Sequence, residues 1–139
     1  MLLVIHKIDI PPIYLTGIFY RLGGSDSSTK GRVEVAVDGV WGTVCRSYFS
    51  SREAAVFCRS LGFSEGRADY SRISYSQPPS KIYQANLMCQ GNEMELADCP
   101  HMGWKTATSS YCTHNYDAKV ICYNDGEGWI LSNTVIFVV

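Results

Sequence analysis

The stretch DGVWGTVCRSYFSSREAAVFC, residues 38–58, holds a turn, a cysteine and a helix start from which much of the fold can be predicted. Just before it, residues 33–37 read VEVAV, and this alternation is typical of a β-strand with one buried face. Asp38 and Gly39 favour the positive φ angles of a two-residue hairpin turn. Residues 40–45 can then return as an antiparallel strand that ends in Cys45.

The second half of the same stretch predicts a helix of about three turns. Ser50 followed by Glu53 makes a capping box, and Gly62 favours a stop. Apolar side chains recur on one helical face, at Ala54, Phe57, Cys58 and Leu61. The pattern directs Cys58 toward the core.

The rest of the chain is less regular. Residues 66–80 are rich in arginine, serine, tyrosine and proline, which predicts a long surface loop. Strands are predicted over residues 82–89 and 118–122, and Asn92 can cap a short helix that runs to Cys99. One domain is placed at residues 21–123, between an N-terminal segment (1–20) and a C-terminal tail (124–139).

Both ends differ from the middle of the chain. Residues 1–20 are apolar but lack the basic start and the small-residue cleavage site of a signal peptide. Residues 129–139 are apolar for 11 residues, well short of the roughly 20 that span a bilayer. We expect both ends to be poorly packed. We interpret the chain as one module of a larger extracellular protein whose signal or membrane anchor lies elsewhere.

Six cysteines lie at positions 45, 58, 89, 99, 112 and 122, with gaps of 13, 31, 10, 13 and 10 residues. No gap has the C-x-x-C spacing of a zinc ribbon or a thioredoxin-type site, so the even set favours loops closed by disulfides. The spacing alone leaves all 15 connectivities open. Disulfides indicate an oxidising compartment, which places the protein outside the cell.

The charge balance argues against a protein that binds nucleic acid or an anionic membrane through a global field. The 139 residues include 12 basic and 13 acidic side chains, for a formal net charge of −1. Any site for a polyanion must therefore be a local patch.

Three catalytic or metal-binding interpretations are weak. Residues 62–66, GFSEG, match the G-x-S-x-G pattern of a hydrolase, but that motif needs a strand before Ser64, and here a helix ends. A zinc site built on Cys99, Cys112 and the nearby histidines would consume cysteines that disulfides require. A cysteine protease needs a free thiolate, which paired cysteines do not leave. We therefore expect no enzyme activity in this chain, no metal and no cofactor.

Four phrases together closely resemble a scavenger receptor cysteine-rich domain. They are GRVEVAVDGVWGTVC (31–45), AAVFCRSLGF (54–63), MCQGNEMELADCPHMGW (88–104) and YDAKVIC (116–122). The likeness in order and spacing runs from residue 21 to residue 122. It implies a small α+β fold in which a curved antiparallel sheet cradles one main helix, with long loops on one side.

The resemblance also implies a disulfide pairing that spacing does not supply. The implied pairs are Cys45–Cys112, Cys58–Cys122 and Cys89–Cys99. The family's eight-cysteine group has a further bridge, with partners near Thr29 or Lys30 and at Phe63. Neither position is cysteine, so the chain resembles the six-cysteine group. In the chain-entropy model each bridge stabilises the fold by roughly 3 to 4.5 kcal/mol.

One familiar feature of the family is altered. In many of its domains, two aspartates after the first of these cysteines and a glutamate before the late Asp-Ala form a cation site that helps to bind polyanions. Here Arg46, Ser47 and Tyr116 occupy those positions. Calcium needs several oxygen ligands and a guanidinium repels it, so we expect no calcium at this site.

Arg46 can instead contact anionic groups directly by charge-assisted hydrogen bonds. Three further cations are predicted to share this ligand-binding role: Lys30, Arg32 and Arg52. The alternative is that these cations are scattered, solvated surface charges.

Aromatic residues offer a second kind of contact. Trp41 and Trp104 lie within the family phrases, where a packing role is expected. Four other aromatic residues are candidates for a contact surface: Tyr48, Tyr70, Tyr75 and Tyr83.

The resemblance implies two candidate functions. The first is a non-catalytic extracellular recognition module, secreted or part of a membrane protein's ectodomain, that binds proteins or polyanions on microbial or host surfaces. The second is an accessory domain of an extracellular enzyme, an amine oxidase or a protease, whose catalytic domain lies outside this sequence.

Overall fold

The computed structural model describes residues 17–72 and 74–125. In this part of the chain the elements are β1 (Ile18–Gly23), β2 (Lys30–Val37), β3 (Val40–Val44), α1 (Ser51–Ser60), β4 (Glu65–Ala68), β5 (Lys81–Gln84), β6 (Lys105–Thr106) and β7 (Lys119–Tyr123). Two short 3-10 helices, Leu96–Asp98 and His114–Tyr116, lie in the loops before β6 and β7.

The seven strands form one sheet in the order β4-β7-β2-β3-β5-β6, and β1 pairs with β2. Neighbouring strands are antiparallel except β3 and β5, which are parallel. A mostly antiparallel sheet with one main helix is the predicted α+β class, which is therefore confirmed.

The hairpin between β2 and β3 forms as the sequence predicts. Asp38 and Gly39 take φ angles of 50° and 89°, and Val37 pairs with Val40 across the turn. Asp38 tolerates a positive φ better than most non-glycine residues do. The hairpin therefore fixes the position of Cys45, directly after β3.

Helix α1 begins with the predicted capping box. The Ser50 Oγ accepts a hydrogen bond from the Arg52 N–H at 3.2 Å, and the Glu53 carboxylate accepts one from the Ser50 N–H at 2.8 Å. Gly62, with a φ of 98°, follows the end of the helix. The second carboxylate oxygen of Glu53 accepts from the Cys89 N–H at 2.8 Å. This buried acid therefore also joins the helix start to a distant loop.

The core lies between α1 and the sheet. Its largest fully buried side chains include Phe57, Leu96, Val33, Val35 and Val56. Helix and sheet approach each other closely at Gly66 on β4, where an added Cβ would lie 2.2 Å from the Cys58 Sγ. Only glycine leaves room for the helix at this point.

The structure contains the three disulfides that the resemblance implies. They join Cys45 to Cys112, Cys58 to Cys122 and Cys89 to Cys99, with Cα–Cα distances of 5.3, 5.4 and 4.7 Å. The first links the end of β3 to the loop before β7, and the second links α1 to β7. The third closes a short loop under the start of the helix.

The N-terminal boundary differs from the expectation. Residues 18–20 were expected to be poorly packed, which is wrong, because they pair with β2 as part of β1. The Tyr20 hydroxyl donates to Glu95 at 2.8 Å, and its ring meets Phe57 edge to face. The sheet thus includes residues that the sequence placed in the N-terminal segment. The same expectation for residues 1–16 and 126–139 falls outside the described residues.

Two irregular regions also differ from prediction. The strand predicted over residues 82–89 ends at Gln84, because Asn86 takes a φ of 51° and the backbone turns to bond residues 100–102. The loop predicted from residue 66 starts later, because residues 65–68 form β4 along β7.

The prediction of a short helix capped by Asn92 is wrong. The helical turn there is a 3-10 helix that begins at Leu96 without a side-chain cap. Glu93 organises the preceding loop instead, since its carboxylate accepts from the N–H groups of Gln90 and Gly91 at 2.9 Å each.

Strand β2 is buried on both faces, whereas the sequence predicted a strand with one buried face. Arg32 and Glu34 are 5% and 2% exposed. Glu34 accepts from the Nε of Arg32 at 2.9 Å and from the Nε of Arg21 at 2.8 Å. Arg32 also donates to the Ser76 carbonyl at 3.0 Å, so the loop before β5 covers this face.

We expect Arg32→Ala to lower the free energy of unfolding by about 3 kcal/mol, because it leaves the buried Glu34 carboxylate with one partner fewer. Arg46→Ala removes an exposed arginine and should change it by less than about 0.5 kcal/mol. Urea denaturation of both variants measures the difference. Equal effects would contradict the structural role of Arg32.

The disulfides should differ in their contribution according to the loops they close. The sequence separation is 64 residues for Cys58–Cys122 and 10 for Cys89–Cys99. We expect C58A/C122A to lower the free energy of unfolding by about 4 kcal/mol and C89A/C99A to lower it by about 3 kcal/mol. Calorimetric melting of both double variants tests this order, and a reversed order would show that loop entropy does not govern these bridges.

Candidate functional site

The structure does not bring the four predicted ligand-binding cations together. Arg46, in the loop after β3, and Arg52, in the first turn of α1, are both exposed and line one groove. Arg32 lines a second groove, which Arg46 also lines, but Arg32 is buried and ion-paired with Glu34. Lys30, half-buried at the start of β2, lines neither.

A cationic groove, defined here by Arg46, Arg72, His114 and Lys119, has a volume of about 680 Å³. Arg46 and Arg72 are exposed, and His114 and Lys119 are half-buried. The groove lies where the end of β3, the loop after β4 and the start of β7 meet. Sequence reasoning missed Arg72, His114 and Lys119 as site residues, because their distance along the chain from Arg46 gave no pattern that joins them.

The acid in this groove is already engaged. Asp117 accepts from the Thr43 Oγ1 at 2.7 Å through one oxygen, and its other oxygen lies 2.9 Å from the His114 Nδ1. Burial raises the pKa of the Asp117 carboxyl, and the bonds from Thr43 and His114 oppose that rise. The sequence does contain a signal for this contact, because His114 and Asp117 are three residues apart.

Arg46 and Tyr116, two of the residues that replace carboxylates of the family's cation site, stack on each other. The guanidinium carbon of Arg46 lies 4.8 Å from the centroid of the Tyr116 ring, and the Arg46 N–H donates to the Tyr116 carbonyl at 2.9 Å. This corner therefore presents a guanidinium supported on an aromatic face rather than a set of carboxylates. The absence of a calcium site here stays a prediction.

An amphipathic groove, defined here by Tyr48, Tyr70, Met88, Arg46 and Arg52, adjoins the cationic groove and has a volume of about 900 Å³. Arg46 and Tyr70 line both grooves. Tyr48, Tyr70 and Met88 are 70%, 66% and 59% exposed. Because they share Arg46 and Tyr70, the two grooves form one continuous surface.

The aromatic candidates separate into contact and packing roles. Tyr48 and Tyr70 are exposed, and Tyr75 lines the cationic groove. Tyr83 was a wrong candidate, because it is 3% exposed, donates to the Val40 carbonyl at 2.7 Å and meets Trp104 edge to face.

The two tryptophans pack, as expected. Trp104 is half-buried against the core. The Arg21 guanidinium lies 3.9 Å from the centroid of the Trp41 ring.

The cysteines offer no thiolate to a metal or a substrate, since all six are disulfide-bonded. Within the described residues, Cys89, Glu93 and Cys99 form one cluster of ligand-type atoms within 4.8 Å of one another. Both sulfurs of that cluster belong to the same disulfide, so it is not a thiolate metal site.

Comparison with known proteins gives the chain a family context. The model of the scavenger receptor cysteine-rich domain matches residues 23–123. Galectin-3-binding protein of Rattus norvegicus is 38% identical over 108 residues, and lysyl oxidase homolog 2 of Homo sapiens is 40% identical over 112 residues. These alignments cover 78% and 80% of this chain but 18% and 14% of the relatives. The chain thus spans less than a fifth of the relatives' length.

Solved structures agree with this assignment. The third SRCR domain of murine neurotrypsin is 37% identical, with a TM-score of 0.64, and the match covers 76% of this chain and 96% of that one. The SRCR domain of mouse MARCO, in its dimeric form, is 32% identical with a TM-score of 0.54, covering 84% and 94%. The chain therefore belongs to the scavenger receptor cysteine-rich domain family, and its three disulfides are consistent with the six-cysteine type.

Proposed function

We propose that this domain is a non-catalytic recognition module of an extracellular protein and that it binds anionic groups of protein or polyanionic ligands through the cationic groove. The observation that carries the proposal is the charge of that groove. The ion pairs of the described residues involve neither Arg46 nor Arg72. Their guanidinium groups can therefore bind carboxylate or sulfate groups by charge-assisted hydrogen bonds.

The walls of the groove are held by covalent and backbone bonds. The disulfide between Cys45 and Cys112 ends next to Arg46 on one side and two residues before His114 on the other. The Arg46 N–H bond to the Tyr116 carbonyl fixes the same two segments. Because little needs to be ordered on binding, the entropic cost of association is low.

The extracellular location is supported by the same cross-links. Three disulfides with no free cysteine among the described residues suit an oxidising compartment. None of the described helices is long and apolar enough to cross a membrane. We propose that the parent protein is a larger chain, secreted or membrane-anchored, in which this module contributes binding.

The test is binding of dextran sulfate, measured by biolayer interferometry. We expect R46E/R72E to weaken binding at least about tenfold, since a hydrogen bond to a charged group contributes about 1.5–3 kcal/mol. Wild-type affinity should also fall steeply as salt rises from about 50 to 200 mM.

The matched control is a charge reversal outside the groove. Lys105 is exposed on β6, at the opposite end of the sheet from β4, so K105E should bind nearly as well as wild type. Equal losses in K105E and in R46E or R72E alone would mean that only total charge matters, and the cationic groove would not be the site.

A second function is favoured by one comparison. The 40% identity to lysyl oxidase homolog 2 supports an accessory domain beside a catalytic domain in the same chain. The complete gene product decides between the two, because an accessory domain requires a catalytic domain elsewhere in that product.

A further inference from the structure

We propose that the amphipathic groove binds an extended acidic peptide segment of a partner protein, with an aromatic or long aliphatic side chain of that segment held among Tyr48, Tyr70 and Met88. This goes beyond the proposed function, because it concerns a different groove and a different ligand chemistry, and it does not require that polyanions bind.

Three large side chains with apolar surface are exposed in this groove. Tyr48, Tyr70 and Met88 are each more than half exposed and line the same groove. Its floor is made by the buried side chains of Phe49 and Leu87. Contiguous apolar surface with a polar rim is characteristic of an interaction site.

The backbone holds Tyr48 outward at a conformational cost. Its φ is 62°, a left-handed conformation that is unfavourable for a bulky side chain. The turn is closed by the Phe49 N–H, which donates to the Arg46 carbonyl at 2.9 Å, while the Phe49 side chain is 5% exposed. The turn therefore combines a buried Phe49 with an exposed Tyr48. Backbone strain of this kind concentrates at functional sites.

The rim of the groove is positively charged. Arg46 and Arg52 are exposed, and neither takes part in an ion pair of the described residues. Glu53 also lines the groove, but its carboxylate is engaged with the Ser50 N–H, the Ser50 hydroxyl and the Cys89 N–H. The positive charges of Arg46 and Arg52 favour a ligand with carboxylates on either side of an apolar group.

The available polar groups favour a peptide over a sugar. A carbohydrate needs several hydrogen-bonding partners for its hydroxyl groups. The Ser50 hydroxyl and the Glu53 carboxylate are both engaged in the helix cap, which leaves Gln90 and the Tyr48 and Tyr70 hydroxyls as the neutral side-chain groups of the groove. Met88 suits an aromatic or aliphatic side chain, because its polarisable thioether packs well against such groups.

The probe is a blocked hexapeptide that alternates glutamate with phenylalanine, titrated into the ¹⁵N-labelled domain and followed by NMR. Backbone shifts should concentrate at residues 46–50 and 87–90. The same peptide with serine in place of phenylalanine should bind at least about fivefold more weakly, the loss typical of an interface residue that contributes.

Two substitutions test the groove itself. Tyr48→Gly accommodates the positive φ and Met88→Ser alters an exposed side chain, so the double variant should fold with an unchanged melting temperature. We expect it to bind the phenylalanine peptide at least about fivefold more weakly. The matched control is Tyr111→Ser with Met94→Ser, which changes side chains that are 66% and 73% exposed and line neither groove. This control should bind as wild type does.

The outcomes separate this proposal from the proposed function. Equal binding of the phenylalanine and serine peptides, or an equal loss in the control variant, would overturn the peptide site. No binding of the phenylalanine peptide would overturn it as well. The Y48G/M88S variant should still bind dextran sulfate. Peptide binding without dextran sulfate binding would reject the cationic groove as a polyanion site and leave the peptide site in place.

Discussion

The disulfide between Cys45 and Cys112 is the constraint on which the cationic groove depends. It connects the end of β3 to the irregular loop before β7, two segments 67 residues apart in sequence. Arg46 and His114 lie within two residues of its ends, so the bond joins two segments that line the cationic groove. A domain of this size has a modest core, and covalent cross-links replace packing where its loops are long.

The buried acids explain how a nearly neutral chain presents a positive groove. Glu34 is held by Arg21 and Arg32, Glu53 by the helix cap and Cys89, and Asp117 by Thr43 and His114. Each of these carboxylates is turned inward and engaged. Within the part of the chain that the structure describes, the exposed Arg46 and Arg72 form no ion pair with a carboxylate. The net charge of −1 does not reveal this separation of buried acids from exposed arginines.

The two adjoining grooves give one surface two chemistries. Arg46 and Tyr70 line both, so a ligand in one groove lies next to the other. Charged contacts accelerate encounter and depend on salt, whereas apolar contacts add affinity that salt affects little. A partner with both kinds of group would use the whole surface. Multiple copies of such a module in one chain would add avidity.

The sequence by itself determined the hairpin and the capped helix, because these depend on local patterns. The fold class and the disulfide pairing followed from the family resemblance, since cysteine spacing alone leaves all 15 connectivities open. The sequence could not separate Arg32 from Arg46, since burial depends on neighbours such as Ser76 that are distant along the chain. The sequence predicted a strand to residue 89, but β5 ends at Gln84. Beyond it, Asn86 has a positive φ and the backbone bonds residues 100–102, which are distant along the chain. Only the tertiary structure brought Arg46, Arg72, His114 and Lys119 together, since three separate segments must converge before these side chains line one groove.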